Sequence, residues 1–176
     1  MTTASKVTVA RILLIPVFMV MALSGYQLVA LFLFVLAGAT DWVDGYIARK
    51  YNQISNFGKF MDPLADKLLV TAALLIFVQW GRMPAWVLMV ILTREFIVSG
   101  LRMMAAANGT VIAAGWSGKV KTVVTFLGII LMLTTFHDWT VVDGLTVDTV
   151  AVAAILVTTV YSGIEYLAKN YRVFVS

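Results

Sequence analysis

Apolar residues run along this chain in six long stretches, about Val7–Leu23, Leu28–Ile47, Pro63–Trp80, Pro84–Ala107, Ser117–Phe136 and Val147–Ala168. Each is roughly 17–24 residues, near the length a helix needs to cross the hydrocarbon core of a bilayer. Turn-forming residues punctuate them: Ser24-Gly25, Tyr51-Asn52-Gln53 through Gly58, Gly81 before Pro84, Asn108-Gly109 and Asp143-Gly144. The pattern predicts an all-α integral membrane protein of six transmembrane helices in a single domain over residues 1–176, without internal repeats.

Composition narrows this further. With 61% hydrophobic and 12% charged residues and a mean hydropathy of +0.95, the chain lies outside the range of water-soluble domains. Cysteine is absent, which excludes disulfides and thiolate ligation, so a bound metal would be a hard cation held by oxygen or by the one histidine. That histidine, His137, sits in a polar loop and reads as solvated. The N-terminal Met-Thr-Thr-Ala-Ser-Lys is not followed by a short signal-like run; the first apolar stretch is long enough to span, and is expected to be retained.

The net charge of +4 is unevenly placed. If the N-terminus is cytoplasmic, the inner side collects Lys6, Arg11, Arg49, Lys50, Lys59, Lys67, Arg102, Lys119, Lys121, Lys169 and Arg172. Only Arg82 then falls in an outer loop, and Arg94 within a span. The positive-inside rule therefore predicts both termini on the cytoplasmic side. Trp80, Trp86, Trp116 and Trp139, near span ends, read as interfacial anchors.

The chemistry concentrates between residues 41 and 66, where Asp41, Asp44, Asp62 and Asp66 adjoin the apolar runs. Carboxylates at a membrane boundary are costly unless compensated, and carboxylates close together repel. A shared divalent cation relieves both costs. At about 100° of rotation per residue, Asp41, Asp44, Gly45 and Ala48 share an arc of roughly 100°, with Arg49 at its edge. Gly45 and Ala48 leave room for a bulky group to approach the backbone. Asp62 and Asp66, four apart, share a face of the next helix. A plainer reading makes Asp62 an N-cap before Pro63, and Asp41 and Asp44 interfacial acids paired with Arg49 and Lys50.

Taken together, the spacing D-x2-D-G-x2-A-R-x8-G-x3-D-x3-D, from Asp41 to Asp66, resembles the signature of the CDP-alcohol phosphatidyltransferase family. The resemblance implies six membrane helices, a homodimer in the bacterial cytoplasmic membrane, and a metal centre of one or two Mg²⁺ or Mn²⁺ ions facing the cytoplasm. It implies Asp41, Asp44, Asp62 and Asp66 as metal ligands, with Asp66 also the catalytic base. Asp41, Gly45, Ala48, Arg49 and Gly58 correspond to the CDP-diacylglycerol-binding stretch. Thr8 and Arg11 in the first span are expected among the CDP-diacylglycerol-binding residues, and with Pro16 they match the family's bacterial members that use glycerol-3-phosphate. So do Thr93-Arg94-Glu95 through Arg102, and Ser117-Gly118-Lys119-Val120-Lys121-Thr122. Ser5 departs from them, standing where such enzymes often carry Asn.

The activity so implied is transfer of a phosphatidyl group from CDP-diacylglycerol to sn-glycerol-3-phosphate, with release of CMP. Arg102, Lys119 and Lys121 at the cytoplasmic ends of the fourth and fifth spans suit the acceptor's phosphate. Lys119 and Lys121 are about 200° apart on a helix, so one continuous helix cannot aim both at one point. The resemblance favours Lys119; the small polar stripe Ser117, Lys121, Thr125, Gly128 favours Lys121. Arg94 and Glu95, about 12 Å deeper than Arg102 at helical rise, read as a structural pair. Rival readings are the same fold with another acceptor, as in cardiolipin synthase or phosphatidylinositol phosphate synthase, and a small divalent-cation transporter. The partners expected are the bilayer, the two substrates and a second copy of the chain, with no nucleic acid.

Overall fold

The computed structural model describes residues 3–50, 56–107, 109, 112–113, 115–142 and 144–171, with the side chains of 3–8, 41–50, 56–63, 107 and 142 outside that description. Six α-helices and one short hairpin follow in order: α1 (Thr3–Leu23), α2 (Gln27–Lys50), α3 (Asn56–Gln79), α4 (Ala85–Ala107), α5 (Trp116–Leu133), β1 (Thr140–Val142), β2 (Leu145–Thr146) and α6 (Val147–Asn170). Each apolar stretch of the sequence became one helix. Two of them, Trp116–Leu133 and Val147–Asn170, are long and apolar enough to cross a membrane, with shorter apolar stretches at Val9–Leu23 and Gln27–Thr40. In α4 the apolar run is broken by Arg94, Glu95 and Arg102.

The helices fall into two compact units, residues 1–79 with 133–135, and residues 80–132 with 136–176. In the first, α1 packs on both α2 and α3. Buried Ala22, Ala30, Ala37 and Ala65 let backbones approach closely, the usual device where apolar burial alone cannot hold membrane helices together. Phe18 and Phe34 fill the space between, their ring centroids 5.9 Å apart at a tilt of 44°. The chain reverses between α1 and α2 at Gly25, whose φ of +86° suits glycine.

In the second unit α4 packs on α6, and α5 meets α6 where Gly128 leaves no gap: a Cβ there would stand 2.8 Å from Ile155 Cδ1. The β1–β2 hairpin turns at Gly144, φ +79°. It delivers Thr146 to the N-cap of α6, where its hydroxyl accepts from the Thr149 amide at 3.3 Å. Outward, Leu13, Phe32, Met89, Phe96, Val157 and Ile164 are each more than half exposed, as expected for helices whose solvent is lipid.

Helix α3 begins at Asn56, seven residues ahead of the predicted start at Pro63. Asp62 is therefore within a helix and not its N-cap, which removes the plainer reading of that residue.

Candidate active site

Positions 41–49 lie on the last turns of α2, and Gly58, Asp62 and Asp66 on α3. The side chains of Asp41, Asp44, Gly45, Ala48, Arg49, Gly58, Asp62 and Thr8 lie outside the described residues. Asp66 is described: it is half-buried and takes part in side-chain interactions. Arg11 is 2% exposed, on the helix that packs against both aspartate-bearing helices, and it too is engaged. A guanidinium sunk that far among apolar helices demands acceptors or anions around it. A set of carboxylates without thiolate or clustered imidazole fits a hard divalent cation.

The cations expected at the acceptor phosphate all belong to the second unit. Arg102 is exposed, its guanidinium carbon 5.6 Å from the centre of the Tyr166 ring. Lys119 is exposed as well, its Nζ 5.9 Å from the Trp116 ring. Lys121 is 6% exposed and donates to Glu95 Oε1 at 2.7 Å. Arg94 Nη1 reaches the same oxygen at 2.8 Å. Helical phase thus separates the two lysines as expected: one turns outward and the other is built into a part-buried trio of one acid and two bases.

Room for Arg94 comes from glycine. A Cβ on Gly163 would lie 3.0 Å from Arg94 Cγ, and one on Gly118 would lie 3.8 Å from Arg94 Nη2. Arg94 and Glu95 are paired, as the sequence suggested, and Lys121 joins them.

His137 differs from expectation. Its side chain is only 13% exposed, with Nδ1 2.7 Å from Asp138 Oδ1 and 3.7 Å from Asp148 Oδ2. Arg82 Nη2 stands 3.0 Å from His137 Nε2, while Nη1 donates to the Met132 carbonyl at 3.1 Å. The hairpin causes this by folding the start of α6 back, so that the Asp148 amide donates to the His137 carbonyl.

His137, Asp138 and Asp148 have the ligand types of a metal site and lie close enough together for one. Arg82 argues for a different use. A guanidinium can only donate, so the Arg82 contact makes His137 Nε2 the acceptor and leaves Nδ1 on the side of the acids. Arg82 Nε is also 3.8 Å from Asp148 Oδ2. Asp148 Oδ2 is thus partly compensated, Asp148 Oδ1 has no hydrogen-bond partner among the described residues, and the group reads as a polar latch.

Sequence reasoning passed over one further polar region. A cavity of about 400 Å³ is lined by Gly115, Ser117, Glu165, Tyr166, Lys169 and Asn170, among others. Lys169 donates to Glu165 one turn earlier on α6, and Ser117 lines the same cavity. Only the i,i+4 spacing of Glu165 and Lys169 signalled it.

Comparison with known proteins agrees with the spacing of the aspartates. The family model described as CDP-alcohol phosphatidyltransferase matches residues 1–163. A Bacillus subtilis protein named CDP-diacylglycerol–glycerol-3-phosphate 3-phosphatidyltransferase is 43% identical, the alignment covering 96% of this chain and 94% of that protein. A Haemophilus influenzae protein of the same name is 36% identical over 91% of this chain and 88% of its own. A Mycobacterium tuberculosis protein named probable phosphatidylglycerophosphate synthase is 36% identical over 96% and 81%. Divalent-metal dependence is general to this family of membrane enzymes. With its signature aspartates on α2 and α3, the chain belongs to the CDP-alcohol phosphatidyltransferase family.

Proposed function

We propose that this protein transfers the phosphatidyl group of CDP-diacylglycerol to sn-glycerol-3-phosphate, giving phosphatidylglycerophosphate and CMP for phospholipid synthesis. The observation that carries the reading is 43% identity, over nearly the whole of both chains, to a relative named for that reaction. The chain acts as one membrane domain of six spans with both termini cytoplasmic, as a homodimer in the bacterial cytoplasmic membrane.

Asp41, Asp44, Asp62 and Asp66 hold Mg²⁺ or Mn²⁺. When bound, the cation neutralises pyrophosphate oxygens and stabilises the departing CMP. Gly45, Ala48 and Gly58 make room for the nucleotide, with Asp41, Thr8 and Arg11 also on the CDP-diacylglycerol side. Arg49 offers a planar fork to phosphate oxygens, a geometry lysine does not reproduce. Asp66 takes the proton of the attacking hydroxyl. The phosphorus–oxygen bond to the acceptor forms as the bond to CMP breaks, and Arg102 with Lys119 or Lys121 holds the acceptor phosphate.

Purified protein supplied with CDP-diacylglycerol and, in separate reactions, glycerol-3-phosphate, phosphatidylglycerol, inositol phosphate or serine tests the acceptor. Phosphatidylglycerophosphate is the expected lipid product. A larger yield with any other alcohol would reassign the acceptor within the family.

A further inference from the structure

The connection between α5 and α6 carries large apolar side chains on its outside. Trp139 is 64% exposed, Val141 56% and Phe136 50%. They are held in place. The Trp139 amide donates to the Phe136 carbonyl at 3.1 Å, and its carbonyl accepts from the Val147 amide at 3.0 Å. Its ring meets that of Phe136 edge-on, with centroids 4.7 Å apart. Val141 stands on β1, which pairs antiparallel with β2. A fixed apolar patch of this kind costs free energy in water and marks a contact with protein or lipid.

The ground beside the hairpin identifies the contact. An open groove of about 320 Å³ runs there between α5 and α6, with Leu127, Leu131, Val141 and Val150 along its sides. Gly128 and Ala151 are buried at its floor, where a Cβ on Gly128 would lie 3.8 Å from Ala151 Cβ. Every lining side chain is aliphatic or glycine, so a polar ligand finds no hydrogen-bonding side chain. The groove extends from Val124 to Leu131 on α5 and from Val147 to Ala154 on α6, about 10 Å along each at helical rise. Both helices are long and apolar enough to cross a membrane, and half of a hydrocarbon core is about 15 Å thick. The groove therefore starts at the hairpin and follows the two helices through much of one leaflet. Its exposed edges, Leu127, Leu131 and Val150, continue the surface that spanning helices turn to hydrocarbon. At its hairpin end, Trp139 offers an apolar ring with one N–H donor, the combination suited to the boundary between acyl chains and ester groups.

We propose that this hairpin is seated in the bilayer and that the groove binds an acyl chain of a phospholipid from the leaflet in which α5 ends, with Trp139 at the level of the ester groups. The inference rests on α5 and α6 spanning the membrane and is independent of which alcohol the enzyme uses.

The chain contains no cysteine, so an introduced cysteine reports on one position. The test places Leu127→Cys, Val141→Cys or Asp138→Cys in the full-length protein, reconstituted in phosphatidylglycerol–phosphatidylcholine vesicles. With a nitroxide on each, relaxation by oxygen, which concentrates in hydrocarbon, is compared with relaxation by a water-soluble nickel chelate. Oxygen should be several-fold the more effective at Leu127 and Val141. The order should reverse at Asp138, whose side chain is 82% exposed. With bimane in place of the nitroxide, phospholipids brominated near the head of the acyl chain should quench Val141 the more strongly, and those brominated further down should quench Leu127. Each variant should keep the parent's thermal midpoint, and the use of two groove positions guards against a local disturbance at either. A nickel chelate that prevails at Val141 would put the hairpin in water. Protection of Leu127 and Val141 from both agents would put protein, such as a second copy, over the groove. Either result, or quenching indifferent to bromine depth, would overturn the proposal.

Discussion

Lys121 on α5 donates to Glu95 Oε1 on α4 at 2.7 Å, and Arg94 contacts the same oxygen at 2.8 Å. One carboxylate therefore serves two cations that have little access to solvent. Glu95→Gln would strand both, and leaving such groups without their partner typically costs about 1–3 kcal/mol. Thermal unfolding in detergent should show a large loss of stability for Glu95→Gln, and partial recovery when Lys121→Met is added. Equal stability of Glu95→Gln and the parent would mean that the trio is not what joins these helices.

Arg102 and Lys119 are exposed, so their removal can be read more simply. If they hold the acceptor phosphate, Arg102→Ala and Lys119→Ala should raise the KM for glycerol-3-phosphate, since a hydrogen bond to a charged group is worth about 1.5–3 kcal/mol. Stability should be retained. Lys121→Ala is expected to lose stability as well, because Lys121 is also Glu95's partner. Steady-state kinetics paired with melting curves separate the two effects.

At the hairpin, the roles of Asp138 and Asp148 differ. Asp148 is buried and pairs with Arg82 and His137, whereas the Asp138 side chain is 82% exposed. Asp148→Asn and His137→Ala should each cost about 1–3 kcal/mol in unfolding experiments, with turnover per folded molecule intact. Asp138→Asn should be nearly silent, as solvent-exposed pairs contribute little. Asp143 lies outside the described residues. A catalytic defect without a stability defect in Asp148→Asn would contradict the latch.

Close approach of α5 to α6 depends on Gly128. Because a Cβ there would stand 2.8 Å from Ile155 Cδ1 and 3.2 Å from Cγ1, Gly128→Leu should destabilise by about 1–3 kcal/mol or more. Adding Ile155→Ala should return part of it, a coupling that a double-mutant cycle measures. Additive losses would show that the two positions do not meet.

Helices were the most legible feature of the sequence, because unbroken apolar runs ended at turn residues such as Ser24-Gly25 fix both number and approximate ends. The start of α3 was not, since Pro63 looks like a helix opening but is also tolerated in the interior when neighbours compensate. The stripe of Ser117, Lys121, Thr125 and Gly128 was legible as a helical face, and three of its members are buried: Lys121, Thr125 and Gly128. What covers that face was not legible. Glu95 lies 26 positions from Lys121, and Arg82 lies 55 from His137. Local patterns carry no information about such pairings. The aspartates were legible through fixed spacing alone, and the groove beside Val141 was not, since its sides come together only in the packed structure.

The decisive measurement is CMP release from CDP-diacylglycerol with and without glycerol-3-phosphate, in Mg²⁺, Mn²⁺ or chelator, for the parent protein and for Asp41→Asn, Asp44→Asn, Asp62→Asn and Asp66→Asn. CMP should appear only with both acceptor and divalent cation. Each Asn variant should insert normally yet fall by a factor on the order of 10² or more, as when a preorganised charge-stabilising group is lost. Full activity in chelator, or in any two of the four variants, would contradict a metal-holding aspartate site.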